Sequence, residues 1–202
     1  PMDRIEAGIA KLVEAKSDTL EAGHTAACSI MTTDTISKEI AVSFELDGKE
    51  ITVGGMSKGS GMIHPNMCTM LAYITTDMAI SKELLQEALS TSVVDTFNMI
   101  TVDGDTSTND TCLVMANGMA GNTEVTQKGE AYDRFFEALN YVCTYLAKKM
   151  AGDGEGATKL FEAKVVNARS KEDARTLSRA IVGSNLSKAA IYGCDANFGR
   201  FL

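Results

Sequence analysis

The sequence has no excess of positive charge, and this absence excludes whole classes of partner. Its formal net charge is -8 and its isoelectric point is about 4.8. Such a chain presents no broad positive field that would collect phosphate groups, so nucleic acids and anionic membrane surfaces are poor partners. Its 202 residues, 45% of them hydrophobic, are nevertheless enough to bury a sizeable core. We expect a single globular unit that handles a small polar molecule.

Paired cysteines, long apolar runs and clustered histidines are also missing. The five cysteines are odd in number and scattered, with no Cys-x-x-C pair, which argues against a disulfide framework or a zinc site. No apolar run is long enough to span a membrane and no signal-peptide pattern is present, so we expect a cytoplasmic protein. His24 and His64 lack a second ligand at helical spacing, and we predict no metal site.

Familiar catalytic and nucleotide-binding motifs do not occur in full. The run 55–61 has the composition of a phosphate-binding loop, but Lys58 precedes Gly59 where the motif needs Gly-Lys at the start of a helix. The polar loop 103–110 begins like a calcium loop, yet Thr108 stands where the sharp turn requires glycine. No G-x-S-x-G sequence supports a serine nucleophile, although a Ser-His-Asp arrangement stays open. The residues alone therefore identify no unique catalytic group.

Hydrophobic periodicity predicts an α/β arrangement with at least one antiparallel hairpin. The predicted helices cover 2–15, 81–96, 129–150 and 171–183, and we expect the first to pack on a sheet. The predicted strands cover 40–46 and 51–53 around a turn at 47–49, then 69–76, 98–102, 111–116 and 158–166. The stretch 103–110 is interpreted as a solvated loop between two strands, and 152–156 as a glycine-rich turn.

Four blocks of sequence carry a family resemblance when they are taken together. They are Met-Thr-Thr-Asp-Thr at 31–35, the block at 61–77 that begins Gly-Met-Ile-His-Pro-Asn-Met-Cys-Thr-Met, the block at 97–110, and Asp-Ala-Asn-Phe-Gly-Arg at 195–200. In this order they resemble the ornithine acetyltransferases, also called glutamate N-acetyltransferases, over essentially the whole chain. The resemblance implies one catalytic-domain segment, 1–202, in an αββα sandwich of the self-processing N-terminal-nucleophile-like kind, with mixed sheets and antiparallel hairpins.

The resemblance also implies a mechanism. Members of that family cleave themselves before a threonine, which becomes the nucleophile of a ping-pong acetyl transfer from N-acetylornithine to glutamate in arginine biosynthesis. Here the cut falls between Cys68 and Thr69, giving 1–68 as the end of an α chain and 69–202 as the start of a β chain. The chemistry is physically reasonable, because a freed α-amino group has a pKa of about 7.7 to 8 and can accept the proton of the Thr69 hydroxyl.

Substrate-binding roles follow from the same resemblance for Thr32, Lys58, Thr69 and Glu155. A cation such as Lys58 suits the α-carboxylate that ornithine and glutamate share. Without the resemblance, charged residues in glycine-rich loops would be interpreted as solvated. No cofactor or metal is implied, and acetyl-CoA stays open as a second donor of a multifunctional enzyme. The expected partners are the two small substrates and the missing N- and C-terminal segments of the same protein, in a heterotetramer of α and β chains.

Two departures from the family pattern lower the activity expected of this chain. Cys68 stands where the family usually has alanine, and the family's oxyanion-hole Thr-Gly pair and last substrate contacts are absent. Because losing one oxyanion donor typically costs ~100-fold or more in rate, we expect the chain alone to be nearly inactive. A self-processing aminopeptidase-like hydrolase and a catalytically silent fragment or interaction subunit stay open as alternatives.

Overall fold

The computed structural model describes residues 1–64, 70–197 and 199. Its elements in chain order are helices α1 (Met2–Ala15) and α2 (Leu20–Ser29), strands β1 (Lys38–Leu46), β2 (Lys49–Lys58) and β3 (Leu71–Thr76), helix α3 (Lys82–Asp95), a short 3-10 helix (Phe97–Met99), strand β4 (Thr111–Ala116), and helices α4 (Glu130–Gly152), α5 (Lys171–Gly183) and α6 (Asn185–Tyr192).

The four strands form one mixed sheet in the order β1-β2-β3-β4. Strands β1 and β2 are an antiparallel hairpin whose two-residue turn, Asp47-Gly48, has positive φ at both positions, 54° and 69°. A turn of this kind matches the twist of the flanking strands, which explains why the alternating apolar pattern folds back there. Strand β3 pairs antiparallel with β2 and parallel with β4. The predicted α/β class with a mixed sheet and an antiparallel hairpin is confirmed.

Helix α4 forms the centre of the core. The apolar stripe predicted from its period is buried except for Phe136, which is partly buried. Its buried members are Tyr132, Phe135, Leu139, Val142, Cys143 and Leu146. It packs on the sheet face that carries Ile51, Val53, Ala72 and Ile74. The close approach depends on Gly55, since a Cβ atom there would lie 2.9 Å from Val142 Cγ1. Helix α3 packs beside α4.

The opposite face of the sheet is largely open. Strand residues alternate between the two faces, so Tyr73 and its neighbours in the register, Leu113 and Met56, point away from α4. Leu113 and Met115 are 41% and 47% exposed, which is high for large apolar strand residues. Helix α2 reaches this face at β1 and β2, where His24 Nδ1 lies 2.5 Å from Glu39 Oε1. The residues described here thus form one sheet whose core-forming helices lie on the other face, which is half of the αββα sandwich.

Three sequence predictions about local structure are wrong. Residues 98–102 are not a strand, because the chain after α3 continues as a 3-10 turn in which the Ile100 N–H bonds the Phe97 carbonyl. Residues 158–166 are irregular, since no strand in the described part of the chain pairs with them. Helix α1 forms as predicted but does not pack on the sheet, and its apolar residues remain 50% to 70% exposed: Ile5, Ile9, Leu12 and Val13.

Two further elements matter for the ends of the chain. Helix α6 was not predicted from the sequence. Helices α3 and α5 were predicted, and the Ser81 side chain caps α3 by accepting the Leu84 N–H. Within residues 1–64, 70–197 and 199, the structure contains no helix whose length and apolar character would suit a membrane crossing.

Candidate functional site

One edge of the sheet collects the ends of all four strands. Because β2 runs antiparallel to β1 and β3, and β4 runs parallel to β3, the end of β2 meets the beginnings of the other three. This edge therefore carries Lys38, Lys58, Leu71 and Thr111 side by side. Lys58 is one of these strand ends, and Thr32 lies in the loop before β1. Glu155 comes from the turn after α4 and bonds Ser60, so the topology brings distant parts of the chain together.

Thr32 and Lys58 meet directly at this edge. The Lys58 ammonium donates a hydrogen bond of 2.9 Å to Thr32 Oγ1, although the two residues are 26 positions apart. Lys58 is the last residue of β2 and partly buried, while Thr32 is exposed in the loop after α2. The pair presents one positive charge and one hydroxyl toward solvent, a combination that can bind a carboxylate.

Glu155 also lies at this edge of the sheet, bonded to the segment that follows β2. Its backbone N–H donates to the Ser60 carbonyl at 2.7 Å, two residues beyond Lys58. Its carboxylate lies against Gly61, where a Cβ atom would come within 2.7 Å of the carboxyl carbon. Ser60 also shares a hydroxyl hydrogen bond of 2.6 Å with Thr33, next to Thr32. The segment 58–61 thus connects the cation to the carboxylate.

A buried charge network lies beneath these loops. The Lys38 side chain is fully buried, and its ammonium donates 2.6 Å hydrogen bonds to both Asp34 and Asp153. Asp34 also accepts the Gly59 N–H at 2.7 Å, and Asp153 accepts both the N–H and the hydroxyl of Thr35. The network therefore joins the 31–35 loop, the end of β2 and the turn after α4, which carry Thr32, Lys58 and Glu155 respectively.

The two carboxylates of this network are held ionised. Burial acts to raise the pKa of Asp34, but hydrogen bonds from the Gly59 N–H and from Lys38 outweigh it and bring the pKa below its usual value. The pKa of Asp153 is lowered in the same way, against its burial, by Lys38 and Thr35. Two negative charges and one positive charge thus persist in a nearly dry place, which requires complete hydrogen bonding.

The polar loop 103–110 is more than the solvated connection that the sequence suggested. Asp103 accepts the N–H groups of Met62 and Ile63, before the segment 65–69, and Asp110 accepts the Met70 N–H, directly after it. The loop therefore holds both flanks of the segment in which the cut was predicted. The sequence predicted that this loop supports the site or the fold and assigned it no catalytic role; the signal was an unusually polar run between two apolar ones.

The two remaining predicted residues, Cys68 and Thr69, lie outside the described residues. At the described flanks of that segment, the Glu155 carboxylate lies against Gly61, and Lys58, bonded to Thr32, pairs in the register with Leu71. Among the residues that the structure does describe, no group of three or more His, Cys, Asp or Glu side chains is arranged to hold a metal ion.

The fold and this edge together define an α/β protein with a mixed sheet and a polar, charged site built from loops at one sheet edge. The model of the ArgJ family matches residues 1–202. The chain belongs to the ArgJ family.

Named relatives agree with this assignment. The chain is 53% identical over all 202 residues to a protein of Staphylococcus aureus (strain COL) and 52% identical to one of Caldanaerobacter subterraneus subsp. tengcongensis, both named arginine biosynthesis bifunctional protein ArgJ. These alignments cover 48% and 50% of the relatives, so the chain spans about half their length.

A solved structure of the ArgJ protein from Bacillus halodurans is 51% identical to this chain, with a TM-score of 0.64. That similarity covers 66% of this chain and 62% of the other. The resemblance drawn from the four sequence blocks is therefore confirmed at the level of the family, and the likeness extends to the fold.

Proposed function

We propose that the complete protein transfers an acetyl group from N-acetylornithine to glutamate, as a step of arginine biosynthesis. The names of the relatives support the pathway. The observation that carries the chemistry is the pairing of Lys58 with Thr32 at the sheet edge. The Glu155 carboxylate lies close by, against Gly61, which is three residues after Lys58. A cation and a carboxylate suit the α-carboxylate and the side-chain ammonium of the donor.

The proposed nucleophile is Thr69, freed by self-cleavage after Cys68. Met70, the next residue, lies directly before β3, and Asp110 accepts its N–H. The first residue of β3, Leu71, pairs with Lys58 at the end of β2. A nucleophile close to the start of a strand keeps its orientation during the reaction, because the strand is rigid. Its own α-amine can act as the base. Cleavage thus produces an α chain and a β chain, which we propose assemble in the cytoplasm as a heterotetramer.

The rest of the protein is required for this reaction. We propose that segments outside this chain supply the oxyanion donors and the remaining substrate contacts, since a tetrahedral intermediate without such donors is slow to form. The proposed reaction needs no cofactor. Acetyl-CoA is a second possible acetyl donor, and the experiment below includes it. Use of both donors would account for the word bifunctional in the names of the relatives.

The deciding experiment traps the acetyl group on the enzyme. The complete protein is incubated with N-acetylornithine in the absence of glutamate, quenched with acid and digested. We expect the peptide that begins Thr-Met-Leu-Ala to gain one acetyl mass, and glutamate to discharge it. Thr69→Ala should show neither cleavage nor acetylation. The same assay with acetyl-CoA tests the second donor.

Other outcomes of this experiment favour other functions. An ester lost to water faster than to glutamate indicates the aminopeptidase-like hydrolase. An uncut chain with no acetylated threonine indicates the silent interaction subunit. Turnover without any trapped ester, in kinetics that require both substrates bound at once, contradicts the covalent mechanism.

A further inference from the structure

The Asp34 carboxylate binds the backbone on both sides of the Thr32–Lys58 pair. Its Oδ2 accepts the Thr32 N–H at 3.2 Å, and its Oδ1 accepts the Gly59 N–H at 2.7 Å. The Gly59 nitrogen belongs to the planar peptide unit that directly follows Lys58. Two segments that are 26 positions apart in the chain, one with the hydroxyl and one with the ammonium, therefore meet on one rigid group.

Strand pairing does not extend to either of these N–H groups. The β1-β2 ladder reaches Ser57 and the β2-β3 ladder reaches Lys58, so Gly59 lies just beyond both. Thr32 lies in the loop between α2 and β1 and belongs to no strand. Asp34 therefore supplies the acceptors at the point where the sheet no longer does, and it determines how the loop lies against the end of β2.

Asp34 is itself fixed in place and charged. Its side chain is fully buried, and the Lys38 ammonium donates to its Oδ1 at 2.6 Å. Burial acts to raise its pKa, but the hydrogen bonds from the Gly59 N–H, from Lys38 and from the Thr32 N–H outweigh burial and lower the pKa. An ionised carboxylate accepts hydrogen bonds on both oxygens and donates none, so it can serve both N–H groups at once.

The Thr32–Lys58 pair can bind a carboxylate only if its two donors stay together. Thr32 Oγ1 accepts from the Lys58 ammonium at 2.9 Å, so the hydroxyl hydrogen is directed elsewhere, and the ammonium has further hydrogens to donate. Both groups can therefore donate to the same carboxylate. A lysine side chain is a flexible stem, so the place of its ammonium depends on how its backbone lies relative to the Thr32 hydroxyl.

We propose that Asp34 is a positioning residue that holds the Thr32 hydroxyl and the Lys58 ammonium in register for the α-carboxylate of both substrates. This inference rests on the proposed function. Asp34 does not touch the substrate, because its own side chain is fully buried, and it acts through the two donors that it aligns. N-acetylornithine and glutamate share the α-carboxylate, so a change at Asp34 should affect the binding of both substrates alike.

The test measures KM and kcat for both substrates in the complete protein carrying Asp34→Asn. The amide has one acceptor oxygen, so one of the two N–H groups is released, while Lys38 remains paired with Asp153. We expect KM to rise on the order of 10-fold for each substrate, with kcat within about twofold of the wild type. A variant that is only partly folded behaves differently, because fewer active molecules lower the apparent kcat and leave KM unchanged.

A double-mutant cycle shows whether Asp34 acts through Lys58. In a Lys58→Ala background the pair no longer exists, so adding Asp34→Asn should raise KM by less than about twofold further. Asp77→Asn is the matched control, because Asp77 also accepts a backbone N–H of β2, from Thr52 at 2.8 Å, but towards the other end of the strand. That variant should keep both wild-type KM values.

Three results overturn the inference: wild-type KM values in Asp34→Asn, a fall in kcat with KM unchanged, or an equal rise in KM in the Lys58→Ala background. If Asp34→Asn does not fold, the triple variant Lys38→Met, Asp34→Asn and Asp153→Asn takes its place in the same comparison. It leaves no unpaired charge in the network and lacks the same acceptor. A wild-type protein that transfers no acetyl group overturns the proposed function itself, and the inference with it.

Discussion

Replacing Lys38 by methionine tests the buried network beneath the site. The substitution keeps most of the side-chain volume and removes only the ammonium. It leaves Asp34 and Asp153, which are 0% and 5% exposed, without the cation that each contacts at 2.6 Å. The two carboxylate oxygens that contacted Lys38 then lie no more than about twice that distance apart, and both carboxylates have little access to water.

The expected loss of stability is large. Removing one partner of a buried ion pair typically costs about 3 to 5 kcal/mol, because the remaining charge is left uncompensated. A domain of this size has a total stability of roughly 5 to 15 kcal/mol, so the variant should be close to unfolding at neutral pH. Lys38 serves two carboxylates at once, which favours the upper part of the range.

Urea unfolding at pH 7.5 measures the difference, with Lys49→Met as the control. Lys49 is exposed at the start of β2 on the same hairpin, and its replacement should change stability by less than about 0.5 kcal/mol. Adding Asp34→Asn and Asp153→Asn to Lys38→Met should recover much of the loss. A Lys38→Met variant within about 1 kcal/mol of the wild type would refute the network as a source of stability.

The pH dependence has a defined sign. In the wild type the pKa values of Asp34 and Asp153 are below their usual range, so their contribution is present above about pH 4 and is lost as pH falls through the lower folded values. In Lys38→Met the same carboxylates lack the cation, and protonation relieves them. The gap between variant and wild type should therefore narrow on acidification.

The remaining predictions concern the site loops and the thiols. Lys58→Ala and Glu155→Ala should each weaken transition-state binding by about 1.5 to 3 kcal/mol in kcat/KM, with unchanged unfolding temperatures, because neither side chain belongs to the buried core. Gly61→Ala should raise KM in the manner of Glu155→Ala, since its Cβ would displace that carboxylate. Iodoacetamide at pH 8 should leave Cys112 and Cys143 unmodified until the protein unfolds, because burial raises their pKa values to about 12 and about 11; labelling of either thiol in the folded protein would contradict their burial.

Sequence patterns correctly predicted the elements whose structure depends mainly on residues that are close together in the chain. The hairpin followed from a two-residue period around Asp47-Gly48, and helix α4 from an apolar stripe with a helical period. The strand predicted at 158–166 failed because an apolar run becomes a strand only when another strand pairs with it. The prediction that α1 packs on the sheet was wrong for a related reason, since amphipathic character does not identify the surface that a helix covers.

The site depended on information that local patterns do not contain. Lys38 is fully buried, which lysine almost never is without a partner, and one of its partners is 115 residues away along the chain. Asp110 was missed for the same reason, because its contact with Met70 spans 40 residues. Thr32, Lys58 and Glu155 were found only through the family resemblance, which carries the tertiary information that spacing lacks.

The order of strands has a consequence for the cut protein. The proposed cleavage separates β2 from β3, yet these strands are direct neighbours joined from Val53 to Lys58 along one antiparallel ladder. The two products would share a single sheet and a single core, so they could part only by unfolding. Hydrolysis of the peptide bond would change the covalent connectivity and leave the architecture in place, and the stability of the cut protein would become dependent on concentration.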